Sequence, residues 1–138
     1  MMYTLFITLM CTLLTVLIHF EVMKVMTKKM EKMARYGRRR FLILIFALLL
    51  AQFCGVTVFA LGYMALSVQG IGQILHADQT LLNYLYLSVS AYSTVGFGDV
   101  APDGGARLMA GVEAVVGFMM ITWSASLTFI EMQRHWTE

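Results

Sequence analysis

The chain has 138 residues, 59 % of them hydrophobic and 13 % charged, with a mean hydropathy of +0.75 and a net charge of +2. A water-soluble domain of this length could not bury so much apolar surface, so lipid is the expected solvent. Eight of the ten Lys and Arg residues fall between Lys24 and Arg40, and a basic cluster flanked by membrane-length segments reads as a cytoplasmic loop near anionic headgroups, not as a nucleic-acid site.

The first apolar stretch, Met1 to Phe20, carries no charge apart from His19. It lacks a basic segment before it and a small-residue cleavage site after it, so it reads as an anchor with a translocated N-terminus rather than a signal peptide. Its span is expected from Thr4 to about Met23. Beyond it, Met23, Met26, Met30 and Met33 recur at helical steps among Lys24, Lys28, Lys29 and Lys32. That pattern predicts an amphipathic continuation lying near headgroups or against a neighbouring helix. Residues 1–36 thus form one unit, which Gly37 ends. Arg38, Arg39 and Arg40 are consecutive, not spaced along an apolar helix as voltage-sensing charges must be.

The second span is expected over 41–67, with Ala47, Ala51 and Gly55 forming a small-residue row for close helix approach. Val68 to Ala77 reads as a loop. Asp78 is a candidate cap for a helix over 80–92, roughly 18 Å long and too short to cross a core of ~30 Å. This segment is better read as entering the membrane and returning. Three spans then place nine of ten basic residues on the cytoplasmic side, with the N-terminus outside and the C-terminus inside.

Thr94-Val95-Gly96-Phe97-Gly98 follows the short helix. Non-helical backbone at membrane depth survives only where protein buries it or water lines it. Glycines permit positive φ, and alternating backbone hand can turn successive carbonyls to one side. Four such segments around an axis would stack rings of oxygens able to replace a cation's water, with the Thr94 hydroxyl adding an inner ring. The C-terminal end of the short helix carries partial negative charge toward that cavity.

"SVSAYSTVGFGDVAP" resembles the pore loop of potassium channels, and the order helix, pore helix, filter, helix resembles the simple bacterial pore module across about Phe41 to Ile130. The resemblance implies potassium coordination by the backbone carbonyls of Thr94, Val95, Gly96 and Phe97, with Gly98 at the outer end. Phe97 stands where tyrosine is commoner in the family. Ser90 stands where some bacterial members place a glutamate paired with the aspartate after the filter, so Asp99 lacks that partner. Tyr86 replaces a frequent tryptophan, and Ala91 and Ser93 stand where threonine is frequent.

Pro102 to Gly105 is expected to turn, with the inner helix over 106–131. Gly117 falls near the family's hinge position. Counted from it, Phe118, Ile121, Ala125 and Phe129 would face a cavity, with Phe129 a candidate constriction. Glu113 is costly inside a membrane, about 2.5–3.5 kcal/mol on insertion scales, so it should face protein or water. A hydrogen bond to Ser88, Ser90 or Ser93 behind the pore helix is the expectation.

Cys11 and Cys54 read as small buried hydrophobes, and His19, His76 and His135 are scattered. No nucleophile–base set or phosphate loop is present in the sequence, so neither an enzyme nor a cofactor is expected. The chain ends within about ten residues of the inner helix, so no appended ligand-binding domain is expected. The reading is an all-α membrane protein with three transmembrane helices, a re-entrant pore helix and a filter loop, homotetrameric, conducting K+ across the plasma (inner) membrane. A weakly selective cation channel, or a non-conducting subunit of a larger channel, are the alternatives.

Overall fold

The structure, a computed structural model, describes residues 1–33 and 37–136. The expected boundary at residue 36 and Arg35 of the basic segment lie outside the described residues. The elements are α1 (Met2–Lys32), α2 (Gly37–Val68), β1 (Gly72–Leu75), α3 (Leu81–Tyr92), β2 (Ala101–Gly104) and α4 (Gly105–Trp136). Among the described residues, three helices are long and apolar enough to cross a membrane: Met2–Lys32, Arg38–Val68 and Gly105–Arg134. The twelve residues of α3 are not. This is the three-span, all-α arrangement expected, with one small addition.

The addition lies where loop and turn were expected. β1 and β2 pair antiparallel, Gly72 opposite Gly104 and Leu75 opposite Ala101. Gly104 sits at φ 56, and a Cβ there would meet the Ile71 carbonyl oxygen at 2.6 Å, so only glycine closes the ribbon so tightly. Pro102 is tolerated because a two-stranded ribbon leaves an open edge for a residue without an N–H. Gln79 ties the ribbon to α3: its Oε1 accepts from the Tyr84 hydroxyl at 2.8 Å and its Nε2 donates to the Ile74 carbonyl at 2.8 Å. The helix cap also differs from expectation. Thr80, not Asp78, caps α3, its Oγ1 accepting from Asn83 N at 3.3 Å. Asp78 contributes its backbone carbonyl, which accepts from Asn83 Nδ2 at 2.9 Å.

α1 is built inside out. Its buried residues are Thr4, Thr8, Cys11, Thr15, His19, Met23 and Met30, while Leu5, Phe6, Leu9, Leu13 and Leu17 point away from the protein. Lipid tails are as apolar as leucine, so burying leucine gains nothing there; small and weakly polar side chains allow close backbones instead. The fit is tight. A Cβ on Gly62 would come within 2.8 Å of Cys11 Sγ, on Gly55 within 2.8 Å of Thr15 Cγ2, and on Gly105 within 2.6 Å of Thr4 Oγ1. Gly55 and Ala51 of the expected small-residue row are both buried. α1 therefore packs on α2 and α4 of its own chain.

The methionine row resolves in favour of helix packing. Met23 and Met30 are buried with Leu44 and Leu48 of α2, and Met26, Met33 and Leu127 close around them. Methionine's flexible thioether fills such irregular gaps between helices. α1 runs unbroken through both parts, about 46 Å at 1.5 Å per residue, so its last turns extend past a ~30 Å core.

Candidate functional site

α3 presents Tyr84, Leu87, Ser88, Ser90 and Tyr92 to the protein and ends at Tyr92, where the backbone changes character. Positive φ occurs at Thr94 (61), Gly96 (58) and Gly98 (83), and not at Val95 or Phe97 between them. The hand of the backbone thus alternates residue by residue over 94–98. Threonine in this region costs roughly 1–2 kcal/mol, which local hydrogen bonds must hold against. Thr94 N donates to the Ala91 carbonyl at 2.9 Å and Gly96 N to the Ser90 carbonyl at 3.1 Å.

Ser90 holds this loop twice, because its Oγ also accepts from Phe97 N at 3.2 Å. Ser93 does not contribute in this way: its hydroxyl donates to the Val89 carbonyl at 2.6 Å, within its own helix. At the outer end the Tyr86 hydroxyl bridges both Asp99 oxygens, at 3.0 and 2.8 Å, and the Tyr86 ring stacks on Phe97 with centroids 6.1 Å apart. The hydrogen bond to Asp99 holds the Tyr86 phenol above its usual pKa. Asp99 thus has a partner, though not a glutamate, and Phe97 lies against the same phenol ring of α3.

Glu113 lies fully buried behind α3. Of the three serines expected as partners it takes Ser88, whose Oγ is 2.5 Å from Oε1, and it also meets the Tyr63 hydroxyl at 2.5 Å. Ser88 Oγ is in addition 2.8 Å from the Val56 carbonyl. Three contacts need three hydrogens, and the two hydroxyls supply two. The carboxyl must hold a proton of its own if all three bonds form together. Glu113→Leu is expected to destabilise the protein by about 1–3 kcal/mol for each hydroxyl left unpaired, whereas Glu113→Gln, neutral and similar in shape, retains most stability. Thermal unfolding of both variants in detergent checks this; equal loss in the two would mean that an amide cannot stand in for the carboxyl.

Gly117 sits against the end of α3. A Cβ there would lie 2.1 Å from the Tyr92 carbonyl oxygen, and α4 runs through the position without a break. What this geometry gives Gly117 is a close-packing role. Phe118, Ile121, Ala125 and Phe129 are all exposed on the same chain, on a face of α4 left open to other molecules.

Two polar arrangements escaped the sequence reading. Arg40 at the start of α2 pairs with Glu131 near the end of α4, their side chains 5 % and 1 % exposed, and Arg134 reaches the other Glu131 oxygen at 3.2 Å. The second is a chain of hydrogen bonds through Tyr92, Gln52, Ser124 and His19, which joins α3, α2, α4 and α1. The signal for α1 was present in the spacing of Thr4, Thr8, Cys11, Thr15 and His19, one helical face of small or polar residues. Partners 72 or 91 residues apart, as in Gln52–Ser124 and Arg40–Glu131, leave no local pattern.

A family model described as an ion channel matches residues 41–134, about two thirds of the chain. No curated protein matches, and no solved structure matches. The matched residues run from the first turns of α2 to the last turns of α4 and contain the alternating segment with all its supports.

Proposed function

The chain belongs to the ion channel family, and on that premise we propose that it is a potassium-selective channel that passes K+ passively through a ring of four identical subunits. The observation that carries the reading is the alternation of backbone hand at Thr94, Gly96 and Gly98. Such alternation turns carbonyls of successive residues toward one side, and one chain provides only one wall of a site that must surround an ion. Thr94, Val95, Gly96 and Phe97 supply the backbone oxygens, with the Thr94 hydroxyl at the inner end and Gly98 at the outer end. The bonds from Ser90 fix the spacing of these oxygens, and the Tyr86–Asp99 bridge holds the outer mouth.

The exposed residues Phe118, Ile121, Ala125 and Phe129 face the cavity that four α4 helices enclose, with Phe129 as the inner constriction, and Gly117 is the point about which α4 would bend. The basic segment 24–40 lies by anionic headgroups on the cytoplasmic face of the plasma membrane, which sets the N-terminus outside. Proteoliposomes made with this chain alone are expected to take up potassium down its gradient, with barium blocking the flux. Under opposed potassium and sodium gradients the reversal potential should follow potassium. A reversal potential near zero would mean a weakly selective pore, and a silent preparation would mean a subunit that needs a partner.

A further inference from the structure

Tyr92 is the last residue of α3, two residues before Thr94, and it is held from three sides. Its backbone lies against Gly117 of α4, where any Cβ would strike its carbonyl. Its ring lies against Gly55 of α2, where a Cβ would come within 3.2 Å of Cε2. Its hydroxyl donates to Gln52 Oε1 at 2.9 Å.

The hydroxyl bond does not end at Gln52. Gln52 Nε2 donates to Ser124 Oγ at 3.0 Å, and Ser124 Oγ lies 3.0 Å from His19 Nε2. The first two steps have a direction: the Tyr92 hydroxyl donates to the Gln52 oxygen and the Gln52 amide donates to Ser124. In the third the tautomer of His19 sets which partner donates. His19 is fully buried on α1, and the Trp123 ring of α4 stands 6.1 Å from its own. In a medium without water such a chain pairs polar atoms of four side chains, leaving His19 Nδ1 buried without a partner, and moving one end disturbs every link.

We propose that Tyr92 is a positioning residue for the inner end of the candidate filter, and that the first helix holds it in place through Gln52, Ser124 and His19. The helix that precedes the matched family segment is then a working part of the conduction site, its hand on the filter being the imidazole of His19. The same tie explains why α1 turns its polar face inward at Thr15 and His19, beside Gly55 and Ser124.

The proposal rests on the reading of 94–98 as a filter, so its test has two arms. In the first, full-length protein in liposomes is assayed for the ratio of rubidium to potassium flux and for the apparent affinity of barium block. Tyr92→Phe and His19→Leu are each expected to shift these by about fivefold, the worth of one hydrogen bond, and the double variant to shift them no further than the larger single change. Leu9→Ala, on the lipid face of α1, should shift neither. Unchanged ratios in the single variants, or shifts that multiply in the double variant, would overturn the proposal. The second arm needs no conduction: solid-state NMR of lipid-embedded protein follows the Tyr92 and Thr94 carbonyl carbons. His19→Leu should move both resonances and Leu9→Ala neither. A silent wild type in the first arm with moved resonances in the second overturns the reading of this chain as a channel by itself but not the tie; unmoved resonances overturn the tie.

Discussion

Gly96→Ala is expected to abolish potassium flux while leaving the assembled protein intact. Gly96 sits at φ +58, where an L-residue costs roughly 1–2 kcal/mol, or about 4–8 kcal/mol over four copies. A Cβ at Gly96 would meet nothing within 4 Å in its own chain, so the penalty falls on the backbone conformation itself. Relief comes from rotating the residue back to negative φ, which turns a carbonyl away from its side of the segment. Gly70→Ala provides the matched control. Gly70 has φ +67 and equally open space, but it lies in the turn after α2, so its strain should slightly lower stability and leave flux near the wild-type rate. Flux at the wild-type rate in Gly96→Ala would remove the filter reading, and loss of flux in both variants would show that backbone strain anywhere is enough.

Arg40→Met is expected to destabilise the protein by about 3–5 kcal/mol, because it leaves the Glu131 carboxylate buried with one oxygen unpaired. Glu131→Met should cost as much or more, since it strands Arg40 at 4 % exposure and also frees Arg134. The double variant Arg40→Met, Glu131→Met should recover most of the loss, because apolar side chains of similar volume replace the pair without a desolvation cost. Denaturant unfolding in mixed micelles measures all three. Equal stability of wild type and Arg40→Met would mean that the pair contributes nothing. The pair joins the beginning of α2 to the end of α4, two residues from Phe129, so it bears directly on the proposed inner constriction. Single-channel recording of the double variant is the natural companion measurement.

Much of this protein is legible in one dimension because the membrane imposes one-dimensional rules. Three candidate spans follow from apolar length, the non-spanning helix α3 from its shortness, and the loop over 94–98 from glycines where a spanning helix would not tolerate them. Residue-level predictions fared differently according to the reach of the interaction. Glu113 was legible as a charge that needs a protein partner, and Ser88 was among the three serines named for it. Tyr63, 50 residues away on α2, was not, because nothing near Tyr63 in sequence ties it to a residue on α4. Thr80 rather than Asp78 became the cap because the chain before α3 is tied back by Gln79 to β1, which moves the cap two residues on.

The amino-acid sequence alone therefore determined the solvent, the number of candidate spans and the position of the special loop, since each depends on local composition or on the length of a segment. The tertiary structure decided which polar side chains meet. It turned Ser90 onto the loop and Ser93 back onto its own helix, and gave Asp99 a phenol instead of a carboxylate. It also joined Arg40 to Glu131 and connected His19 to the end of α3. A hydrogen bond in lipid is fixed by where two helices cross, and that crossing is set by glycines and small residues fitting across the interface, as Gly55, Gly62 and Gly117 do here.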